Sequence, residues 1–158
     1  MFGMLGGLMF AGKVALMALP NVEPVSLLVM LFAVVFGRKC LYPIYIYVLL
    51  EMLLHGLHLW VFNYLYIWTL LAGAAWLMRQ MRQPLGWALL SGVFGLLFGV
   101  LCAPVYLVVG GPMYAVSWWV SGIPFDMIHA LSNFVIALVL FVPLRKLVEK
   151  LYRSGPLH

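Results

Sequence analysis

The chain has 158 residues, of which 66% are hydrophobic and only 8% charged, with a mean hydropathy of +1.13. A soluble domain is roughly half apolar and a quarter charged, so a chain of this length could not hide so much apolar surface from water. The net charge of +5 is no nucleic-acid signature either, because eight of the nine basic residues fall at the ends of apolar runs, where they set topology and meet anionic headgroups.

In chain order, the first apolar run covers about residues 3–19 and stops at Pro20, before the polar turn Asn21-Val22-Glu23-Pro24. It lacks a basic leading region and an A-x-A site, so it reads as a span rather than a cleaved signal. The second, about 25–37, is short and ends in Gly37-Arg38-Lys39, where snorkelling side chains extend its reach. The third covers about 43–58, followed by a loop with Trp60 and Asn63. The fourth, about 64–79, closes on Arg79 and Arg82. Pro84 opens the fifth, about 84–109, with a kink expected at Pro104. Gly110-Gly111-Pro112 breaks the chain, and Met113 to Val120 reads as an interfacial turn or short helix carrying Trp118 and Trp119. Ser121-Gly122-Ile123-Pro124 then introduces the sixth run, about 124–145, whose basic end forms a cytoplasmic amphipathic tail.

The prediction is an all-α integral membrane protein, one domain over residues 1–158. It has six transmembrane helices with N and C termini cytoplasmic. Lys and Arg occupy alternate gaps only: Arg38 and Lys39, then Arg79 and Arg82, then Arg145, Lys146, Lys150 and Arg153. Positive ends stay in the cytoplasm, so the other gaps face outward. A β-barrel is excluded because the runs are continuously apolar, and no inverted repeat is apparent. Cys40 and Cys102 fall on opposite sides of the bilayer, so no disulfide is expected.

Two kinds of helix face follow. Small residues recur every fourth position at Gly3, Gly7, Ala11 and Ala15, and again at Ser91, Gly95, Gly99 and Ala103, the pattern that lets helix backbones approach closely in lipid. The second row is expected to pack inside the bundle, the first to face another membrane protein. Polar side chains form the other faces. Glu51, His55 and His58 share a stripe on the third helix, and Asp126, His129 and Asn133 share one on the sixth. With Asn21, Glu23 and Asn63 they lie in the outer half, where costly intramembrane ionisable groups point to a shared cavity. Among the aromatics most belong to an interfacial belt, and Trp68, one turn below its helix end, is the candidate for a binding role. Lys13 projects opposite the small stripe at the depth of Glu51. Either it pairs with Glu51 or a polar ligand, or its long stem snorkels to the cytoplasm.

No nucleophile elbow, metalloprotease helix, phosphate loop or Walker motif is present, so no enzyme and no cofactor are expected. A divalent metal on the Glu, Asp and His side chains is the alternative reading, since imidazole and carboxylate suit such ions. A non-transport membrane assembly protein is another. A channel is disfavoured, because the charged residues stop halfway across.

Three segments carry a family likeness: Ala11-Gly-Lys-Val-Ala15, Leu19-Pro-Asn-Val-Glu23, and Gly122-Ile-Pro-Phe-Asp-Met-Ile-His-Ala-Leu-Ser-Asn133. Together with the six short-looped helices, the chain resembles the substrate-binding S component of energy-coupling factor (ECF) vitamin transporters. The resemblance implies high-affinity capture of a vitamin or related small heterocyclic micronutrient at the outer face of the bacterial cell membrane. It further implies ATP-driven import with a T subunit and two ATPase subunits. The T subunit would meet the first-helix stripe at Gly7, Ala11 and Ala15. The expected ligand-binding set is Lys13, Asn21, Glu23, Glu51, His55, His58, Trp68, Asp126, His129 and Asn133. Such a set is rich in acceptors and lined by aromatics, which favours a planar ligand with N–H donors or positive charge. Thiamine-like, pyridoxine-like and deazaguanine-like compounds fit that description.

Overall fold

The computed structural model describes residues 1–19 and 21–155. Pro20, expected to stop the first run, and the last three residues lie outside the described residues. Secondary structure is helical throughout, with no strand among the described residues. The helices are α1 (Phe2–Ala15), α2 (Val25–Phe36), α3 (Leu41–His55), α4 (Leu59–Leu77) and α5 (Pro84–Arg153), with a 3₁₀ turn at Gly37–Cys40 between α2 and α3. Gly111 breaks α5 at φ 80° and ψ −179°, a conformation that glycine adopts without a Cβ clash. The break folds α5 into two arms, 84–110 and 112–153, which pack against each other. The stretches Val25–His55, Leu59–Leu77 and Pro84–Arg153 are long and apolar enough to cross a membrane. These are the helices of a membrane protein.

Contacts fix the direction of each helix. α1 runs parallel to α3, since a Cβ on Gly6 would meet the Pro43 carbonyl and the Ile46 side chain, while Lys13, further on, meets Glu51. α3 runs antiparallel to α4, with Tyr45 bonded to the Leu65 carbonyl and His55 against Trp60. Ser26 of α2 meets Asn133, and Phe36 meets Tyr152, so α2 is parallel to the second arm of α5. Neighbouring helical arms along the chain therefore alternate in direction. One end of the bundle gathers Phe2, Phe36, Tyr42 and Tyr152, next to Arg38 and Lys39. Glu23, Glu51, His55 and His129 gather toward the other.

The core is built of aromatic and branched side chains. Trp68, Trp87, Tyr47, Phe32 and Phe141 are its largest fully buried members, and Trp87 stacks on Phe141 at 4.1 Å across the two arms of α5. The second small stripe seals this hairpin. A Cβ on Gly95 would lie 2.8 Å from the backbone of His129 and Ala130. The first stripe behaves differently. Ala11 and Ala15 are exposed, and a Cβ on Gly3 or Gly7 would meet nothing within 4 Å. It is Gly6 and Gly12, off the stripe, that pack inward, against Ile46 and Pro24.

Three sequence expectations are corrected. α3 ends at His55, because Gly56 takes a positive φ of 80°, so His58 leaves the stripe of Glu51 and precedes α4. Trp60 and Asn63 lie on α4 rather than in a loop, held there by Trp60 against Tyr64 and by Asn63 accepting from Tyr66. The segment 113–120 is no separate interfacial turn. The second arm of α5 runs unbroken through Ser121-Gly122-Ile123-Pro124, and its Trp118 stacks on Tyr106 of the first arm at 3.9 Å.

Candidate functional site

The end of α1, the turn 21–23, the end of α3, α4 and both arms of α5 enclose a cavity of about 230 Å³. Its polar lining is Lys13, Asn21, Glu23, Glu51, His55, Tyr64 and His129, and its apolar lining includes Val14, Leu16, Met17, Leu19 and Phe98. Six of the ten expected binding residues thus come together in one place.

Lys13 is the central charge. Its ammonium lies 2.7 Å from Glu51 Oε2 and donates to the Tyr64 hydroxyl at 3.0 Å. The pairing read from matching depth is present, and the snorkelling alternative is not the conformation adopted. Three rings surround the same ammonium, with the centroids of Tyr64, Trp60 and Tyr47 at 4.9, 5.3 and 5.9 Å. An ammonium within about 6 Å of a ring face gains cation–π attraction, which is larger when water is excluded. Glu51 has 0% side-chain exposure, a position that a carboxylate tolerates only when paired. Its second oxygen, Oε1, has no hydrogen-bond partner.

Glu23 reaches the cavity because the turn carrying it is tied to α5. Asn21 takes φ 56°, tolerable for Asn. It donates to the Phe125 carbonyl at 3.3 Å, while its own carbonyl accepts from Ser132 Oγ at 2.8 Å. This brings Glu23 Oε1 to 3.9 Å from His129 Nε2, too far for a hydrogen bond. The His129 Nε2 atom is buried without a partner. Burial lifts the Glu23 carboxyl above the usual carboxylate range, with Lys13 opposing the shift and Glu51 adding to it.

Four expected residues stand outside the cavity. Asp126 shares a face with His129, but both its oxygens accept from the Gly99 backbone N–H at 3.2 Å. Asn133 donates to Ser26 Oγ at 3.0 Å and to the Ser91 carbonyl at 3.4 Å. Both residues join helices rather than facing the cavity. Trp68 is fully buried, beneath Tyr64 and against Phe94 and Phe98. His58 is exposed and stacks on Trp60. Phe98, Val14 of α1, and Leu16, Met17 and Leu19 just after it are lining residues that sequence reasoning missed. Phe98 carried no polar signal, and only its proximity to His129, 4.9 Å between ring centroids, reveals it.

Among the described residues no three His, Cys, Asp or Glu side chains are grouped as a metal site would require. No family model, curated protein or solved structure matches the chain.

Proposed function

We propose that this chain is the substrate-capturing S component of an ECF-type importer, binding a vitamin or related small heterocyclic micronutrient from outside the cell. In this reading six helical arms cross the bacterial cytoplasmic membrane with both termini inside, and the cavity opens to the exterior. The observation that carries it is the 230 Å³ cavity, built from polar side chains at the end of the bundle that lacks the Lys and Arg clusters. Buried polar atoms cost free energy unless they are hydrogen-bonded, and Glu51 and His129, which both line this cavity, each keep one buried polar atom without a partner. Below the roughly 300–1,000 Å³ of drug-sized pockets, the volume suits one or two rings.

The outward small stripe supports the second half of the reading. With Ala11 and Ala15 exposed and nothing among the described residues within 4 Å of a Cβ on Gly7, this face would be free to meet the T subunit, and two ATPase subunits would supply the energy. Purification under mild conditions followed by mass spectrometry of bound small molecules is the test of capture. Recovery of a stoichiometric heterocycle is the expected result. Protein that stays empty and shows no stabilisation with any vitamin refutes it. For docking, Ala11→Trp should abolish co-purification with a T subunit while ligand affinity stays within about twofold, since the stripe and the cavity lie on opposite sides of α1.

A further inference from the structure

The cavity holds one ammonium and two carboxylates. Lys13 is committed to Glu51 at 2.7 Å and to Tyr64 at 3.0 Å, inside a ring of three aromatics. Among the described residues Glu23 has no hydrogen-bond donor, and His129 Nε2 lies 3.9 Å from its Oε1. Lys13 makes its direct contact with Glu51, so Glu23 is the carboxyl at the cavity without a cation at hydrogen-bond distance. Its neighbour His129 adds a buried nitrogen without a partner, and Phe98 stands beside that imidazole.

Resting on the capture reading above, we propose that the cavity selects its ligand by positive charge. The ligand class is a small planar ring system bearing two adjacent N–H donors, an amidine-like edge, that docks on the Glu23 carboxylate. Paired N–H groups match the two oxygens of a carboxylate, and such charge-assisted bidentate contacts are the strong ones. The flat face of the ring lies against Phe98 and Tyr64, beside the His129 side chain. Lys13 in this scheme is an internal counter-ion for Glu51, not the receptor for a ligand carboxylate or phosphate. Anionic compounds of the same size are therefore rejected, because the only nearby ammonium is already paired and Glu23 repels them.

The test uses three isosteric probes that differ in charge: benzamidine, benzamide and benzoate. Binding to the purified full chain in detergent is read by quenching of tryptophan fluorescence, alongside mass spectrometry of whatever co-purifies. Benzamidine should bind tightest and benzoate weakest, at least tenfold apart, and Glu23→Gln should remove the difference. The wild-type ranking stands by itself should the variant fail to fold. Benzoate binding as well as benzamidine, or a benzamidine preference that survives in a folded Glu23→Gln protein, overturns the proposal. An anionic compound found bound at stoichiometry also overturns it and leaves capture standing. Failure of all three probes together with an empty protein brings down both readings.

Discussion

Lys13 and Glu51 form an ion pair whose worth depends on what is removed. Breaking a buried pair by deleting one partner leaves an uncompensated charge, at a cost on the order of 3–5 kcal/mol, whereas replacing both by apolar residues is often neutral. Lys13→Met should therefore lower the melting temperature in detergent sharply, and Lys13→Met/Glu51→Leu should recover most of the loss. Equal losses in the single and double variants would mean that the pair contributes through packing alone. Glu23 poses the opposite case. Its folded carboxyl is raised by burial, so the folded protein holds that proton more tightly than the unfolded chain. The stabilising contribution is present at low pH and is lost as pH rises through the folded value. Lys13, Glu51, His55, Tyr64 and His129 also face this cavity, so the comparison that isolates Glu23 is wild type against Glu23→Gln. The ligand-free variant should be the more stable of the two at pH 8, with the gap closing toward pH 5, in thermal melts at both values. Lys13 was legible in the sequence because α1 and α3 both start at the same end, so counting residues measured depth. Asn133 and Asp126 were not. Their spacing correctly put them on one face, but it could not say that the neighbour across that face was another helix rather than a cavity.

At the level of the helices, the two small-residue stripes look alike in sequence and differ in what they meet. Gly95 lies against the His129–Ala130 backbone, which cannot move aside as a flexible side chain can. Gly95→Leu should force the α5 arms apart and cost at least the roughly 1–3 kcal/mol typical of overpacking. Gly7→Leu meets open space and should leave the melting temperature of the isolated chain within a degree or two. A large loss at Gly7 would show that α1 packs differently. The count of helical arms was readable from apolar runs punctuated by Gly, Pro and charge, and their limits were less so. α4 begins at Leu59, five residues ahead of the expected start, because aromatic contacts of Trp60 outweigh the polar character of the segment. The second arm of α5 passes through Pro124 even though proline lacks an N–H, and Trp118 of that arm stacks on Tyr106 of the first arm. Neither contact leaves a periodic trace in the sequence, since each depends on a residue brought back by a turn.

For the whole molecule, the helix lengths bear on where capture happens. At 1.5 Å per residue the 14 residues of α1 extend about 21 Å, against a hydrocarbon core of about 30 Å. α4, with 19 residues, extends about 28 Å. If α1 starts level with its neighbours at the basic end, as the Phe2 contacts with Phe36 and Tyr42 require, then its far end stops short of the opposite surface. In the proposed membrane arrangement Lys13 and the cavity are thus recessed below that surface, roofed by the turn 21–23. Which side that surface faces is set by the basic clusters, and site-directed labelling decides it. In a background with Cys40 and Cys102, both free and buried, replaced by serine, single cysteines are placed at exposed Leu57 and Arg82, which flank α4. A membrane-impermeant maleimide should label Leu57→Cys in intact cells and Arg82→Cys only after permeabilisation. Labelling of both from one side would mean that α4 does not cross. The reverse pattern would turn the cavity toward the cytoplasm, and an importer that captures its substrate outside could not be built that way round.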